Sequence, residues 1–232
     1  MVRRLLVEDV LDGLRERIIA GEFPVDSPLP GELELVGQYE VSRVTVREAI
    51  KVLHAQGLVR AERGRGTFVN PMRRWTSLPA VVRALGAQGD PRQVSLDLLE
   101  MRRVLEGGAA ELAAQRIGSE ELTALARLLE TMRGASAAAD VEAFVRADLG
   151  FHAEILAASG NAFLPVLMEP LSAVLAAARA QTSAVPEIQA HAIEEHARIL
   201  AALAGGDGAA ARTAMDAHMQ QTAEDLSRYI IA

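Results

Sequence analysis

The chain has 232 residues, a formal net charge of −7, no cysteine and only 3% aromatic residues. The absence of cysteine excludes disulfides, thiolate metal sites and cysteine nucleophiles, and a chain so poor in aromatics favours helices over sheets. We find no apolar run as long as the roughly 18 residues of a membrane span, and acids come too early in MVRRLLVEDVLDGL for a secretory signal. We therefore expect a cytoplasmic protein that does not enter a membrane.

The charge is unevenly distributed along the chain. Residues 41–74 contain eight Lys or Arg against two Glu, a local charge of +6, whereas residues 75–232 contain twelve basic and twenty acidic residues, a local charge of −8. A basic segment in an acidic protein is typical of a DNA-contacting module joined to a second domain.

Three helices and a hairpin are predicted in residues 1–72. The helices are predicted at 6–20, 31–39 and 43–56, and the two short strands at 58–61 and 67–69. Between the first two helices, three prolines in FPVDSPLP exclude a helix. Between the strands, ERGRG forms a glycine-rich tip with two arginines. This order predicts a winged helix-turn-helix domain.

The third helix is the candidate DNA-reading element, because the start of such a helix meets base edges in the major groove. Ser42 caps this helix. Arg43 and Arg47 stand one turn apart and suit guanine or phosphate, and Thr45 suits phosphate or a base. Glycines in the wing permit close approach to the DNA backbone, and an arginine there can enter the minor groove. The predicted DNA-contacting set is Ser42, Arg43, Thr45, Arg47, Arg63, Gly64 and Arg65.

The stretch SPLPGELELVGQYEVSRVTVREAIKVLHAQGLVRAERGRGTFV resembles the DNA-binding domain of the GntR superfamily of bacterial repressors, and the resemblance covers residues 6–70. It implies that the recognition-helix residues Arg43, Thr45 and Arg47 touch operator DNA, together with Gly64 and Arg65 of the wing. One position departs from some members: Leu33 stands where they carry an arginine that reaches DNA, so we leave that contact out.

A linker with a short helix near 78–86 is predicted at 73–93, and an antiparallel all-helical bundle at 94–232. Pro165 and Pro170 should kink or start the fourth bundle helix. The six bundle helices are predicted at 94–117, 119–133, 140–159, 161–182, 186–204 and 207–230.

Four polar residues lie on the apolar faces of these helices. Asp148 and His152 are four residues apart and share one face, while His196 and His218 lie among alanine, isoleucine, leucine and methionine. One carboxylate and three imidazoles suit a divalent metal, with zinc as our first choice and nickel or manganese as alternatives. The other interpretation is a set of hydrogen-bonded core polar groups. His191 lies on a solvated face and is excluded.

Arg102 also points along an apolar stripe, whereas Arg103 should face water. A buried guanidinium requires a carboxylate. That carboxylate belongs either to a ligand, which makes Arg102 a candidate effector-binding residue, or to the protein itself, as Glu106 or Asp148.

This half of the chain is similar to the FCD ligand-binding domain of the FadR subfamily, from about residue 94 to 225. The resemblance rests on LLEMRRVLEGGAAELAA, on Asp-x3-His and on two later histidines 22 residues apart. It implies a metal pocket beneath an effector site, formed by Asp148, His152, His196 and His218. Within the subfamily, the linker and the segment after it look most like sugar-acid regulators of the galactonate type.

Together these features predict a homodimeric regulator, expected to be a repressor, that binds a palindromic operator and responds to a small carboxylate. Two alternatives stay open. The metal itself could be the signal, although such a sensor has no need of Arg102. An enzyme that uses the metal is the third possibility, but no spare acid or base stands out near the four ligands, and we expect no catalytic activity.

Overall fold

A computed structural model describes residues 2–230 of the chain, with side chains from 6 to 229. These residues form two compact units, one up to Val94 and one from Ser95 onward, which are described separately below. The prediction of a mainly helical fold with one small hairpin is confirmed.

The first unit has the predicted order of helix, helix, turn, helix and hairpin. Its elements are α1 (Val2–Ile19), α2 (Glu32–Tyr39), α3 (Arg43–Ala55), β1 (Val59–Glu62), β2 (Gly66–Val69), a 3₁₀ turn (Met72–Arg74) and α4 (Leu78–Gln88). The strands are antiparallel, with Val59 opposite Val69 and Glu62 opposite Gly66. This is a winged helix-turn-helix arrangement.

The register of α3 follows from its cap and its buried face. Ser42 accepts a hydrogen bond from the backbone N–H of Thr45 and begins the helix. Val46, Ala49 and Leu53 follow at helical spacing and are fully buried in the core of the unit. The opposite side of α3 is therefore presented to solvent.

The second unit is all-helical. Its elements are α5 (Pro91–Ala114), α6 (Ser119–Ala137), α7 (Val141–Ala158), α8 (Phe163–Met168), α9 (Ser172–Thr182), α10 (Pro186–Ala204), α11 (Gly208–Asp225) and a π-helical turn (Leu226–Ile230). The division between the two units falls in the first turn of α5. Phe144 and Met132 lie in a buried cluster formed by α6, α7 and α10.

Several helix ends differ from the sequence prediction: α6 continues through Gly134 to Ala137 instead of ending at 133, and two further differences have a local cause. α5 begins at Pro91 instead of 94, because the Asp90 carboxylate accepts a hydrogen bond from the backbone N–H of Arg92 and proline is well tolerated in a first turn. The helix predicted at 161–182 is divided into α8 and α9 by a 3₁₀ turn, Glu169–Leu171. Pro170 lies in that turn, in agreement with the predicted kink.

The expectation that no apolar run has the length of a membrane span is wrong for one segment. Phe163–Thr182 is 20 residues long and apolar enough to cross a membrane by length and composition. It is the segment that the Glu169–Leu171 turn interrupts, and it contains Arg179, which is buried in the bundle. A single such segment is weak support for a membrane helix.

Gly57, two residues beyond the end of α3, allows a sharp test of this fold. It has φ +73°, and a Cβ atom at this position would overlap the carbonyl oxygen of Arg74. We expect Gly57→Ala to lower the free energy of unfolding of the first unit by about 1–3 kcal/mol, because the new side chain meets both backbone strain and a clash. Urea unfolding of the full chain, followed by Trp75 fluorescence, measures this; the sequence has a single tryptophan.

Gly37→Ala is the matched control for that measurement. Gly37 is exposed within α2, and a Cβ there meets nothing within 4 Å. Because alanine is the better helix former, this variant should be as stable as the wild type or more so. Equal stability of Gly57→Ala and Gly37→Ala would contradict the assigned packing at Gly57.

Candidate nucleic-acid interface and candidate metal centre

The exposed side of α3 carries two arginines that share one carboxylate. Arg43 Nε lies 2.8 Å from one oxygen of Glu32, and Arg47 Nε lies 3.2 Å from the other. Both arginine side chains are 60% exposed, so this contact contributes little to stability. Its effect is to hold two guanidinium groups side by side on the surface of the helix. Glu32 is not among the residues predicted from the sequence.

Thr45 does not lie on the exposed surface that its predicted contact with DNA requires. It is 2% exposed, and its hydroxyl is 2.9 Å from the Ser42 hydroxyl. Thr45 precedes the buried Ala49 by four residues, which places both on the inner face of α3. In this conformation Thr45 orders the start of the helix and does not share the surface of Arg43 and Arg47, so we correct that assignment. Ser42 is exposed at the helix start.

The wing carries the remaining residues predicted to contact DNA. Arg63, Gly64 and Arg65 lie at the tip of the hairpin and are exposed. Gly64 has φ +74°, a conformation that glycine adopts without strain. The Arg65 guanidinium stacks over the Phe68 ring at 5.0 Å and pairs with Glu62. The wing therefore holds Arg65 in place and leaves its charge accessible.

In the second unit, three of the four predicted metal ligands come together. One nitrogen from each of His152, His196 and His218 lies within 4.8 Å of the others, and all three side chains are buried. Nitrogens that share one zinc ion are about 3.3–4.2 Å apart, given zinc–nitrogen bonds of about 2.0–2.1 Å. The three nitrogens are therefore near the spacing that one ion requires.

Backbone and carboxylate groups orient two of these imidazoles. His196 Nδ1 is 2.6 Å from the Ala192 carbonyl and donates its hydrogen to it, which leaves the lone pair on Nε2. His152 Nδ1 is 2.6 Å from a carboxylate oxygen of Glu106. Contacts of this kind set the tautomer of metal-binding histidines and fix the ring plane.

Asp148, the fourth predicted ligand, lies beside this group. Its two oxygens are 3.5 Å from His196 Nε2 and 3.0 Å from Arg179 Nε. The N–H of Arg179 is not aligned with the oxygen, so the contact is an ion pair without a well-directed hydrogen bond. Asp148 is close enough to His196 to share a metal with it, and its assignment as a ligand stays a prediction.

Arg102 is 3% exposed and forms an ion pair with Glu106, one turn later on α5, at 2.6 Å. It therefore points inward, as predicted, and its protein partner is Glu106 and not Asp148. Glu106 links Arg102 to His152, because one of its oxygens faces each of them. The contact between Glu106 and His152 was not predicted, and neither was the presence of Arg179 in the cluster.

The pKa shifts in this cluster follow from burial and charge. Burial lowers the pKa of His196 to about 3, although the negative charge of Asp148 opposes the shift. Burial also lowers the pKa of His218 well below its ordinary value. For Glu106, burial raises the pKa, but the charges of Arg102 and His152 outweigh it and leave the pKa below its usual range. His196 and His218 are thus neutral near pH 7, the form that binds metal.

Several buried polar atoms of this group form no hydrogen bond, which supports a metal centre here. Buried atoms that form no hydrogen bond in the described part of the chain include Nε2 of His196, both ring nitrogens of His152 and both oxygens of Asp148. Buried polar atoms are rarely left in this state. A divalent ion would accept a lone pair from His196 Nε2, from the His152 nitrogen that does not face Glu106 and from an oxygen of Asp148, so the donor set present fits a metal centre.

Two cavities adjoin this group, and Arg102 lines both. The larger, of about 430 Å³, is also lined by Glu106 and His152. The smaller, of about 80 Å³, is lined by Arg179 as well. His191 is outside the group: it is half-exposed and its Nδ1 lies 2.9 Å from Asp225. Its exclusion agrees with the structure.

Two family models match the chain. Residues 6–69 match the model described as bacterial regulatory proteins of the gntR family, and residues 97–221 match the FCD domain. The first covers the helix-turn-helix and wing, and the second covers the helices that carry the three histidines.

Three proteins are similar to this chain over most of their length. The transcriptional regulator LutR of Bacillus subtilis is 34% identical over 216 residues, which is 90% of this chain and 95% of LutR. The galactonate operon transcriptional repressor of Escherichia coli is 32% identical, over 87% of this chain and 88% of the repressor. A putative regulatory protein of the L-lactate dehydrogenase operon of Escherichia coli is 29% identical, over 97% and 88%.

Solved structures share the architecture. A GntR protein of Streptococcus agalactiae is 27% identical with a TM-score of 0.54, over 94% of this chain and 99% of that one. The regulator Lar of Listeria monocytogenes has a TM-score of 0.67 at 20% identity, over 96% and 97%, a likeness of fold alone.

Proposed function

This chain belongs to the gntR family of bacterial regulatory proteins and carries an FCD domain, and we propose that it represses a catabolic operon until a small carboxylate binds at its metal centre. Proteins of these families and the relatives named above are DNA-binding transcriptional regulators and not enzymes. The observation that carries the effector-controlled part of the proposal is the group of three buried histidines beside Arg102 and a cavity.

The DNA-binding part of the proposal rests on the surface of the first unit. Arg43 and Arg47 project from α3, and Arg63 and Arg65 project from the wing. We assign α3 to the major groove and the wing to the adjoining backbone and minor groove. Because each chain offers a single recognition helix, a homodimer would read a palindromic operator in the cytoplasm.

The effector part rests on the larger cavity of the second unit. A divalent ion, zinc as the first choice, would be held by His152, His196 and His218 with Asp148 as the fourth ligand, and it would attract a carboxylate or hydroxyl oxygen. Arg102 lines the same cavity and supplies a second cation. A small hydroxy acid or sugar acid carries the groups that match both. Two of the relatives are named for galactonate and L-lactate dehydrogenase operons, which supports this class of ligand.

A regulator that senses the metal alone is the second candidate. It would need the three histidines but neither a cavity of about 430 Å³ nor a buried guanidinium on its wall. These two features favour an organic acid as the signal.

Arg47→Ala tests the assigned DNA surface. We expect the free energy of specific binding to weaken by about 1–3 kcal/mol, because a guanidinium contact to a base or phosphate is lost. The probe is a duplex that the wild-type protein selects from a random library, and gel shift measures its affinity. Arg83→Ala, which removes an equal charge from a half-exposed residue of α4 paired with Glu16, should bind as the wild type does. Unchanged binding by the double variant Arg43→Ala, Arg47→Ala would contradict the assignment.

His152→Ala tests the metal centre. Wild-type protein purified after metal-supplemented growth should contain about one divalent ion per chain, and chelation should lower its melting temperature because the ion binds the folded state. Elemental analysis should show that His152→Ala has lost the ion. His191→Ala should keep it, because that histidine lies outside the group. A wild-type protein without metal under these conditions would refute the proposed centre.

Arg102→Ala tests the effector site. Calorimetry with a panel of hydroxy acids, aldonates and fatty acyl compounds should show micromolar to millimolar binding of the small acids to metal-loaded protein, an affinity of about 4–8 kcal/mol. Arg102→Ala should weaken this binding, and removal of the metal should abolish it. Binding of long-chain acyl compounds only, or binding that survives metal removal, would overturn the model.

A further inference from the structure

The smaller cavity of the second unit has two buried guanidinium groups on its wall. Arg102 and Arg179 both line this space of about 80 Å³, together with the hydroxyl-bearing residues Thr182 and Thr222. Arg102 and Arg179 are 3% and 5% exposed. The volume suits a group of a few heavy atoms such as a carboxylate, and Arg102 and Leu175 also line the larger cavity.

Arg179 is incompletely paired within the protein. Asp148 is the one carboxylate within 4.0 Å of it among residues 6–229, and the Arg179 Nε–H is not aligned with that oxygen. Its Nη2 lies 3.4 Å from Nε2 of His218. A metal bound through that nitrogen would take its lone pair, and Arg179 would then need another acceptor. A guanidinium has five N–H donors, so unmet donors remain.

The charge balance of the cluster also calls for an anion. Arg102 and Arg179 are balanced by Glu106 and Asp148, each of which lies in an ion pair with one of them. A divalent ion among the histidines would add two positive charges to a buried site. Uncompensated buried charge is strongly unfavourable. A ligand with two negative groups would restore neutrality.

We propose that the smaller cavity is a second acid-binding subsite, in which Arg179 holds a second acidic group of the effector. The preferred effector is then a hydroxy acid with an acid group at each end: one lies in the larger cavity beside Arg102, and the other lies against Arg179. This inference rests on the function proposed above and narrows its ligand class from acids in general to diacids.

Matched ligand pairs test the subsite by calorimetry on the metal-loaded full chain. Malate and 2-hydroxybutanoate differ by a carboxylate in place of a methyl group, and galactarate and galactonate differ by a second terminal acid. We expect the diacid that binds more tightly to have about tenfold or more the affinity of its monoacid partner. Its second carboxylate forms charged hydrogen bonds that the monoacid cannot form. Equal affinities within both pairs would overturn the subsite while leaving the proposed function intact. No binding of any acid would contradict both.

Variants at Arg179 test whether this residue causes the preference for diacids over monoacids. Arg179→Gln should reduce the ratio of diacid to monoacid affinity to about one, and Arg179→Lys should retain part of it because the charge remains but the planar fork is lost. Arg198→Gln is the control, since that exposed arginine pairs with Glu194 and Glu195, and it should keep the full ratio. A ratio that survives Arg179→Gln in protein with wild-type helicity and metal content would refute the role of Arg179. If that variant does not fold, the wild-type ratio and Arg179→Lys still decide the question.

Discussion

Two buried carboxylates, Glu106 and Asp148, hold the polar interior of the second unit together. Each lies next to one buried arginine and one buried histidine. Because a buried charge without a partner is strongly unfavourable, loss of one member of such a pair typically costs about 3–5 kcal/mol. The helices that supply these side chains must therefore keep their register. The same contacts fix the imidazoles that we assign to a metal, so the stability of the bundle and the geometry of the site have a common origin.

The site is assembled from five helices, which makes it sensitive to what binds there. Arg102 and Glu106 come from α5, Asp148 and His152 from α7, and α9, α10 and α11 contribute Arg179, His196 and His218. A metal and an acid at their junction would change the forces between all five at once. Ligand binding at such a junction can favour one packing arrangement over another, and a difference of about 1–3 kcal/mol between two arrangements is enough for regulation.

Periodicity along the chain predicted the inward-facing residues well and their partners poorly. Asp148 and His152 were found because spacing of four places them on one apolar face, and the order of helices and the hairpin follows from caps, prolines and glycines. Glu106 was foreseen as a partner of Arg102, one turn away, but its contact with His152 depends on how α5 packs against α7, which no local pattern encodes. Arg179 was missed although it is the only charged residue between Pro170 and Val185, a signal that could have marked it. The burial of Thr45 could also have been read from its spacing to Ala49.

We propose that an acid at the metal centre sets the affinity for DNA. The most direct measurement is the affinity for a selected duplex, by fluorescence anisotropy, with and without the best-binding acid, in metal-loaded and in chelator-treated protein. We expect the acid to weaken DNA binding by roughly 5–150-fold in metal-loaded protein and to have no effect after the metal is removed. An equal effect in both preparations, or an acid that binds without any change in DNA affinity, would contradict it.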